Sequence, residues 1–571
     1  MNKGSLPITI GITGHRDIKT DDIPSIEASL RKVYKEIEGQ CPHSPIYVIT
    51  ALAEGADRIA AKIALELGMK IIVPLPMRRE LYETDFTSSE SRVEFEEMLS
   101  ESEEWFELPL MTGVEEKDIL EYGEHRDHQY AFVGAYIARY SHVVVALWDG
   151  DPHEKVGGTS YVVGFKLRGI TPPYVAIQGR FEPEEVGSVY QIVTPRIHSD
   201  APTQPVGTII LHHPEDSFVK QSAVSQYNGL LKDTDSFNKD ELELLSQLSS
   251  AQTQSKKYLS PELPPSLKNV RTTNLANYFS VSDVLAGYFQ KRTKSFFRYF
   301  FWSAMLATML FEFYAYILLD EPELLAVFFL NLGVAYVLYN YVAKHRIQDK
   351  FQDYRAIAEG LRIQYYWKLA GIEESVANNY LKEQRSQLDW IRHGLRSWSL
   401  PLFQKGKDLN DLNIDLEHQR WKIIIDGWIT DQYKYFAKSS IREINHLKKI
   451  NRMANTMLIG GFSLIGVNML YHWFIGHTPL AWVLYFASIF PIGAGLLFGY
   501  ADKLSLSEHA RQYEKMASLF AKAKHQTESC LAKDAFHEAR EVIYELGKEA
   551  LKENGDWVLT HRNRPIEVPL A

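Results

Sequence analysis

The chain has 571 residues, 45% of them hydrophobic, and a formal net charge of −10. That length allows several domains, and Lys and Arg spread along the whole chain leave no concentrated basic face, so nucleic acid is excluded as a first partner. The two cysteines, Cys41 and Cys530, lie far apart without CxxC spacing or neighbouring histidines; a disulfide framework is excluded, no metal site is expected and a reducing cytosol fits.

The opening MNKGSLPITIGITG has too short an apolar run and too many turn residues for a signal peptide. Short β-branched runs at 8–13, 46–50, 70–75, 105–108, 142–147 and 174–177 predict strands, and amphipathic stretches such as IPSIEASLRKVYKEIEG and GADRIAAKIALELG between them predict helices. The β-α-β-α order predicts an α/β fold over residues 1–200, a Rossmann-like, doubly wound parallel sheet.

In such a sheet ligands bind beyond the carboxyl ends of the strands. Three loops fall there. In GITGHRD, Gly14 allows a tight turn, and His15 and Arg16 can donate to phosphate. In ALAEGADR, Gly55 begins a helix, and Glu54 and Asp57 can accept from ribose or a base edge. In GGTSYVVG, Gly157 and Gly158 admit close approach of the main chain, and Thr159 can cap a helix and donate to an oxygen. Each loop alone reads equally as a turn and a cap; their succession, each after a predicted strand, predicts a nucleotide site. Asp149 reads as a ribose partner or a turn residue, and Tyr82 and Tyr130 as base covers or half-buried packing. GITGHR lacks the G-x-G-x-x-G spacing of dinucleotide enzymes, which disfavours hydride transfer.

From about 201 to 274 the composition turns polar and reads as linker with one short helix near 241–248. Four apolar runs follow, 302–319, 324–342, 457–475 and 480–500, each close to the ~20 residues that cross a bilayer as a helix. Their outer flanks carry Lys291, Arg292, Lys294, Arg298, Lys344, Arg346, Lys350, Lys448, Lys449 and Arg452, and the two short turns carry no Lys or Arg. The positive-inside rule therefore predicts two hairpins with their ends, the N-terminal domain and the C-terminus in the cytoplasm. Polar residues of these runs such as Glu312, Asn331 and Asn468 are candidates for function, with a satisfied helix contact as the alternative.

DYRAIAEGL after the first hairpin aligns with QYEKMASLF after the second on Tyr354 and Tyr513, which predicts a duplicated unit spanning 275–371 and 453–571, with a helical region at 372–452 between the copies. The aromatics of that region read as packing seams.

Taken together, TGHRD, ALAEGADR, PLPMRRELYETDF with EFEEML, VVVALWDG and the GGT helix resemble the SLOG superfamily, relatives of the lonely-guy phosphoribohydrolases and of the DNA-processing protein DprA, over roughly residues 6–200. The paired hairpins, the long helices and the closing DWVLTHRNRPIEVP look similar to SLATT-type two-transmembrane effectors. The resemblance implies a cytosolic sensor for a nucleotide-derived second messenger, coupled to a membrane effector that works as a homo-oligomer in anti-phage defence by abortive infection, with no other cofactor. The hydrolases of that family carry P-G-G-x-G-T-x-x-E; here Tyr161 and Val162 stand two and three residues beyond Thr159, and neither supplies the carboxylate. No catalytic residue is expected, although Glu54 or Asp57 leaves a second reading open, a membrane-anchored nucleotide N-glycosidase or phosphoribohydrolase. A transporter is a third and weaker reading.

Overall fold

Ile8, Ile10 and Ile12 alternate with Thr9, Gly11 and Thr13 in a strand that is buried on both faces, the pattern of a central parallel strand. In the computed structural model, which describes residues 4–152, 155–175, 185–198, 202–214, 220–261, 263–264, 267, 270–319, 321–380, 385–400, 414–476 and 480–562, this is β1 (Ile8–Gly14). It is followed by α1 (Ile23–Gln40), β2 (Ile46–Ile49), α2 (Ala56–Glu66), β3 (Lys70–Leu75), α3 (Arg79–Tyr82), α4 (Ser89–Glu101), β4 (Glu104–Glu107), α5 (Glu124–Tyr140), β5 (Val143–Trp148), α6 (Thr159–Arg168), β6 (Val189–Val193) and β7 (Ile209–His212). The strand order is β4-β3-β2-β1-β5-β6-β7; the first six strands run parallel and β7 is antiparallel to β6.

The even-numbered isoleucines of β1 and the odd-numbered valines of β5 share a core with Leu30 and Val33 of α1, Ala60 and Ile63 of α2 and Phe95 of α4. On the other face Gly11 lies against Ile137 of α5, and Val144 and Ala146 pack against Val163 of α6. The expected doubly wound sheet is therefore present. Strand order reverses between β1 and β5, which makes their carboxyl ends the switch point.

Two sequence expectations change. Tyr174 and Val175 of the predicted strand 174–177 are a bend, with 176–177 outside the described residues, and β6 and β7 extend the sheet in its place. The stretch 201–274 is not a linker: it holds β7, α7 (Lys220–Leu244), α8 (Ser249–Leu259) and the start of α9 (Val270–Tyr316). Asn238 of α7 accepts from the Leu6 amide at 2.7 Å and donates to its carbonyl at 2.8 Å, and Asp235 accepts from the His43 amide at 2.8 Å. The helix also buries Ala223, Tyr227 and Leu231 along one face, the last two in the core of the sheet's α1 side.

The chain divides into two compact units. The first comprises Met1–Lys256, Asn269–Val281 and Glu373–Leu412, so it includes α12 (Arg385–Trp398); the second comprises Lys257–Lys268, Ser282–Ile372 and Asn413–Ala571.

The second unit is helical: the remainder of α9, α10 (Pro322–Lys344), α11 (Ile347–Ala370), α13 (Ile414–Ile424), a π-helical turn (Ile425–Thr430), α14 (Asp431–Ile475), α15 (Ala481–Lys503), α16 (Leu506–Leu531) and α17 (Phe536–Arg562). A repeat runs through it. Helices α9, α10 and α11 have 47, 23 and 24 residues, and α14, α15 and α16 have 45, 23 and 26. In each set the second helix gives way to the third at a left-handed residue, Arg346 (φ 48°) or Ser505 (φ 51°), and Tyr354 and Tyr513 each stand eight residues beyond it. Helix lengths that differ by at most two residues and a left-handed break at the same place are in keeping with the duplication read from the two tyrosines.

Three helical stretches, within Pro322–Ala370, Ile414–Ile475 and Ala481–Leu531, are long and apolar enough to cross a membrane. They contain the predicted runs 324–342, 457–475 and 480–500. Helices of soluble bundles bury an apolar stripe, whereas only 11%, 6% and 22% of these apolar windows is buried; Leu330, Ile459, Trp473 and Phe474 are 67–83% exposed. The fourth predicted run, 302–319, is not among the three. Its helix stops at Tyr316, before Ile317–Leu319, and carries Glu312, Tyr314 and Tyr316 in its last turns.

Candidate functional site

At the end of β1 the chain passes directly under the β2–α2 turn. A Cβ on Gly14 would lie 2.3 Å from the Cβ of Ala56 and 2.9 Å from that of Leu147, so only glycine lets three elements meet here. Gly55 has φ 81°, and a Cβ there would lie 2.3 Å from the Arg16 carbonyl oxygen; the Ala56 amide donates to the His15 carbonyl at 3.0 Å. The first two predicted loops are thus one structure.

The third joins them through α5. Gly157, at φ 74°, sits against the Asp127 carbonyl and the Cβ of Tyr130, and the Arg16 guanidinium lies 5.2 Å from the centre of the Tyr130 ring. Gly158 is the N-cap of α6, and Thr159 is its first residue, 7% exposed. The expectation that Thr159 caps the helix therefore changes: it stands one position inside. The amides of Thr159 and Ser160 open α6 with no intrahelical acceptor. They face outward from the partially positive end of the helix.

His15 does not offer a donor to a ligand. It is 3% exposed; Arg196 Nε donates to its Nδ1 at 3.2 Å, and its Nε2 lies 3.3 Å from Asp149 Oδ2 and 3.4 Å from the Asp149 amide. Burial holds its pKa below the ordinary value, Asp149 pulls it up and Arg196 adds to the depression. Asp149 in turn accepts from the Asp151 amide at 3.0 Å, which is its turn-residue reading, and its side chain is taken up by His15.

The acidic loop residues are engaged as well. Asp57 is 6% exposed and accepts from Thr50 Oγ1 at 3.0 Å; burial, offset by that hydrogen bond and by Arg16, pushes its carboxyl up to about 6. Glu54 turns toward the start of α4, where it accepts from the Thr87 amide at 2.9 Å, the Thr87 hydroxyl at 3.0 Å and the Ser91 hydroxyl. Burial raises its pKa, but the Ser91 and Thr87 bonds outweigh this and hold it low. Tyr82 is 1% exposed, packs on Phe86, Phe95 and Tyr130 and donates to the Ala51 carbonyl at 3.2 Å; it belongs to the core, not to a cover over a base.

Of the predicted loop residues, Arg16 therefore stays exposed at the switch point, while Gly14, Gly55 and Gly157 are the places where main chain and neighbouring elements pack closest. Arg16 is exposed and, among the described residues, has no carboxylate within ion-pairing distance. An exposed guanidinium over the Tyr130 ring, against which the loop opening α6 also packs, has the chemistry of an anion site.

Sequence reading missed three residues that organise this rim. Arg196 comes from a segment 181 residues after His15. Arg58 donates to the carbonyl of Leu52, whose φ is 55°, at 3.2 Å, and to Ser91 and Glu94. Arg126 and Asp85 form an ion pair with both side chains 1% exposed. Arg58 and the Asp85 partner of Arg126 lie inside quoted motifs, ALAEGADR and YETDF, yet nothing in the spacing marks which side chain turns inward.

The polar residues of the apolar runs fall on three helices. Asn331 of α10 donates to the Ser303 carbonyl of α9 at 3.0 Å and accepts from the Ser303 hydroxyl at 3.1 Å, the satisfied helix contact foreseen as one alternative. Glu312 and Asn468 are half-buried. Among the described residues no group of His, Cys, Asp and Glu could hold a metal ion. In comparisons with known proteins, no family model and no curated protein matches the chain. What the crevice can hold is thus decided by its own residues: one unpaired guanidinium, glycine main chain and the amides that open α6.

Proposed function

We propose that the protein is a membrane effector whose N-terminal unit recognises a nucleotide-derived second messenger at the β1–β5 switch point, and whose apolar helices respond by assembling into an oligomer that permeabilises or depolarises the bacterial inner membrane in anti-phage defence. The observation that carries the reading is the convergence of Arg16 with the Gly14, Gly55 and Gly157–Gly158 main chain at one rim, in a chain that also has apolar helices left largely uncovered. The resemblance of the loop motifs to SLOG domains supplies the messenger class. The hydrolase glutamate has no counterpart after Thr159, and the two carboxylates that could replace it, Glu54 and Asp57, are engaged in holding loops. This favours sensing over cleavage of an N-glycosidic bond. In this reading the two repeated halves each form a two-span hairpin with both ends in the cytoplasm, as the flanking Lys and Arg residues favour, and Glu312 and Asn468 meet their counterparts between copies.

The test uses the full chain in its host membrane. Induction is expected to collapse the membrane potential, and Arg16→Ala, which removes a charge-assisted contact, should weaken the response about 10–100-fold in the inducer needed without lowering the amount of protein in the membrane. Retention of the full response by that variant removes the anion site from the mechanism. Release of free base from a nucleotide panel by the purified full chain would favour the glycosidase instead.

A further inference from the structure

The second unit contains a cavity of about 320 Å³, independent of the switch-point crevice. Its wall is a run of rings: Phe351, Trp428, Phe436, Tyr513, Phe520 and Trp557 line it, with centroids 5.7 Å apart for Phe351 and Trp557, 5.8 Å for Phe436 and Tyr513, and 6.0 Å for Trp428 and Phe520. The inserted residue of the π-helical turn aims Trp428 into this wall. Tyr366 stacks on Trp428 at 5.3 Å and donates to the Gly427 carbonyl at 2.8 Å, which fixes the turn.

The charges along the lining do not balance. Arg355 pairs with Asp283 at 3.4 Å and with Glu359 at 2.5 Å; Arg362 pairs with Glu359 at 2.9 Å and donates to Gln432 at 3.2 Å. Both guanidinium groups are therefore already engaged, and an incoming anion would have to break those pairs. A third carboxyl, Glu553 of α17, also lines the cavity, and among the described residues no cation lies within ion-pairing distance of it. Three carboxyl groups face two guanidinium groups. The groups around Glu553 are Glu359 and Arg355 on α11, Asp556 on its own helix and Lys515 on α16; burial first, then Glu359, pushes its carboxyl up to about 7. A lone carboxyl in an aromatic-walled hollow is complementary to an ammonium, which both the carboxylate and the ring faces attract.

We infer that this cavity is a second ligand site, selective for a small organic cation carrying an ammonium group, held by Glu553 against the Tyr513–Trp557 aromatic wall. It lies where both halves of the repeat contribute, Phe351 to Ile363 from α11 and Tyr513 to Phe520 from α16, so occupancy bears on the packing of the two copies.

Calorimetric titration of the full chain in an amine-free detergent tests it, with putrescine, choline, short-chain phosphatidylethanolamine and inorganic phosphate as probes. Saturable binding of one of the ammonium probes is expected, with roughly half a proton released per site at pH 7, seen as a dependence of the heat on buffer ionisation. Glu553→Gln, close to isosteric, should abolish the proton release and weaken binding at least ~10-fold, and Tyr513→Leu should weaken it several-fold while leaving the release intact. Binding of the lipid alone assigns the ammonium to a headgroup, and binding of putrescine or choline assigns it to a soluble amine; either supports the site. No saturable cation binding, binding unchanged in a folded Glu553→Gln chain, or phosphate binding competed by neither amine overturns it.

Discussion

Gly55→Val is expected to destabilise the N-terminal unit by about 3 kcal/mol or more and to open the β1 and β2 loops together. The position is at φ 81°, where a β-branched side chain is strained whatever the space around it, and the space is also absent: the new Cβ would lie 2.3 Å from the Arg16 carbonyl oxygen and 2.7 Å from that of His15. Both obstacles are main chain, so neither can swing away. The hydrogen bond from the Ala56 amide to the His15 carbonyl would be lost, and with it the register that presents Arg16 beside Tyr130. Hydrogen–deuterium exchange on the full chain should show faster exchange across 8–17 and 46–60, with the midpoint in urea shifted down. Gly39, near the end of α1, is the control, because a Cβ there meets nothing within 4 Å; Gly39→Ala should stabilise by roughly 0.5–1 kcal/mol. Equal behaviour of the two variants would remove the close approach as the reason for Gly55.

This contrast shows what the chain makes readable. A glycine in the loop between a β-branched run and a helical period is a local signal, directly after the run for Gly14 and at the start of the helix for Gly55, Gly157 and Gly158. The sheet was readable for the same reason: Ile8 to Thr13 and Val143 to Leu147 are short apolar runs separated by helical patterns. His15 was misassigned because its two partners are remote in sequence, Asp149 by 134 residues and Arg196 by 181, and nothing local tells a buried imidazole from an exposed one. The long α7 is hidden in the sequence because its apolar face is sparse, with Ala223, Tyr227 and Leu231 four residues apart among polar ones, and the rest of its docking runs through Asn238 and Asp235 to the main chain near Leu6 and His43. Apolar runs announce length and hydropathy but not where a helix stops, which is how four expected spans became three that meet both conditions.

Glu185→Gln is expected to release α12 from the first unit. The carboxylate receives three guanidinium groups: Arg139 of α5 at 3.2 Å, and Arg396 at 2.5 Å and Arg392, both of α12. Arg392 and Arg396 are 4% and 3% exposed, and close by the Lys166 ammonium, 4% exposed, donates to the Ala138 and Ser141 carbonyls while burial and then Arg396 push its pKa down to about 7. Glutamine keeps the shape and removes the carboxylate that these three arginines share, leaving buried like charges facing one another, with Arg392 still 3.9 Å from Asp389, a loss on the order of 3–5 kcal/mol. The pH dependence follows from the same cluster. Burial alone would raise the pKa of Glu185, but Arg396, Arg392 and Arg139 outweigh it and hold the group well below the ordinary 4.5. A depressed acid contributes stability that is present above its unfolded value and is lost as pH falls through the folded one, so docking of α12 should weaken only below about pH 4.5 in the native chain, and that acid dependence should be missing in Glu185→Gln. Exchange of the peptide covering 385–398, where Trp398 stacks on Tyr278 at 4.8 Å, reads both effects. Adding Arg392→Met to Glu185→Gln should recover part of the loss, because it removes one of the charges left facing the others; a double variant no better than the single would mean that the carboxylate acts through its shape and hydrogen bonds and not through its charge.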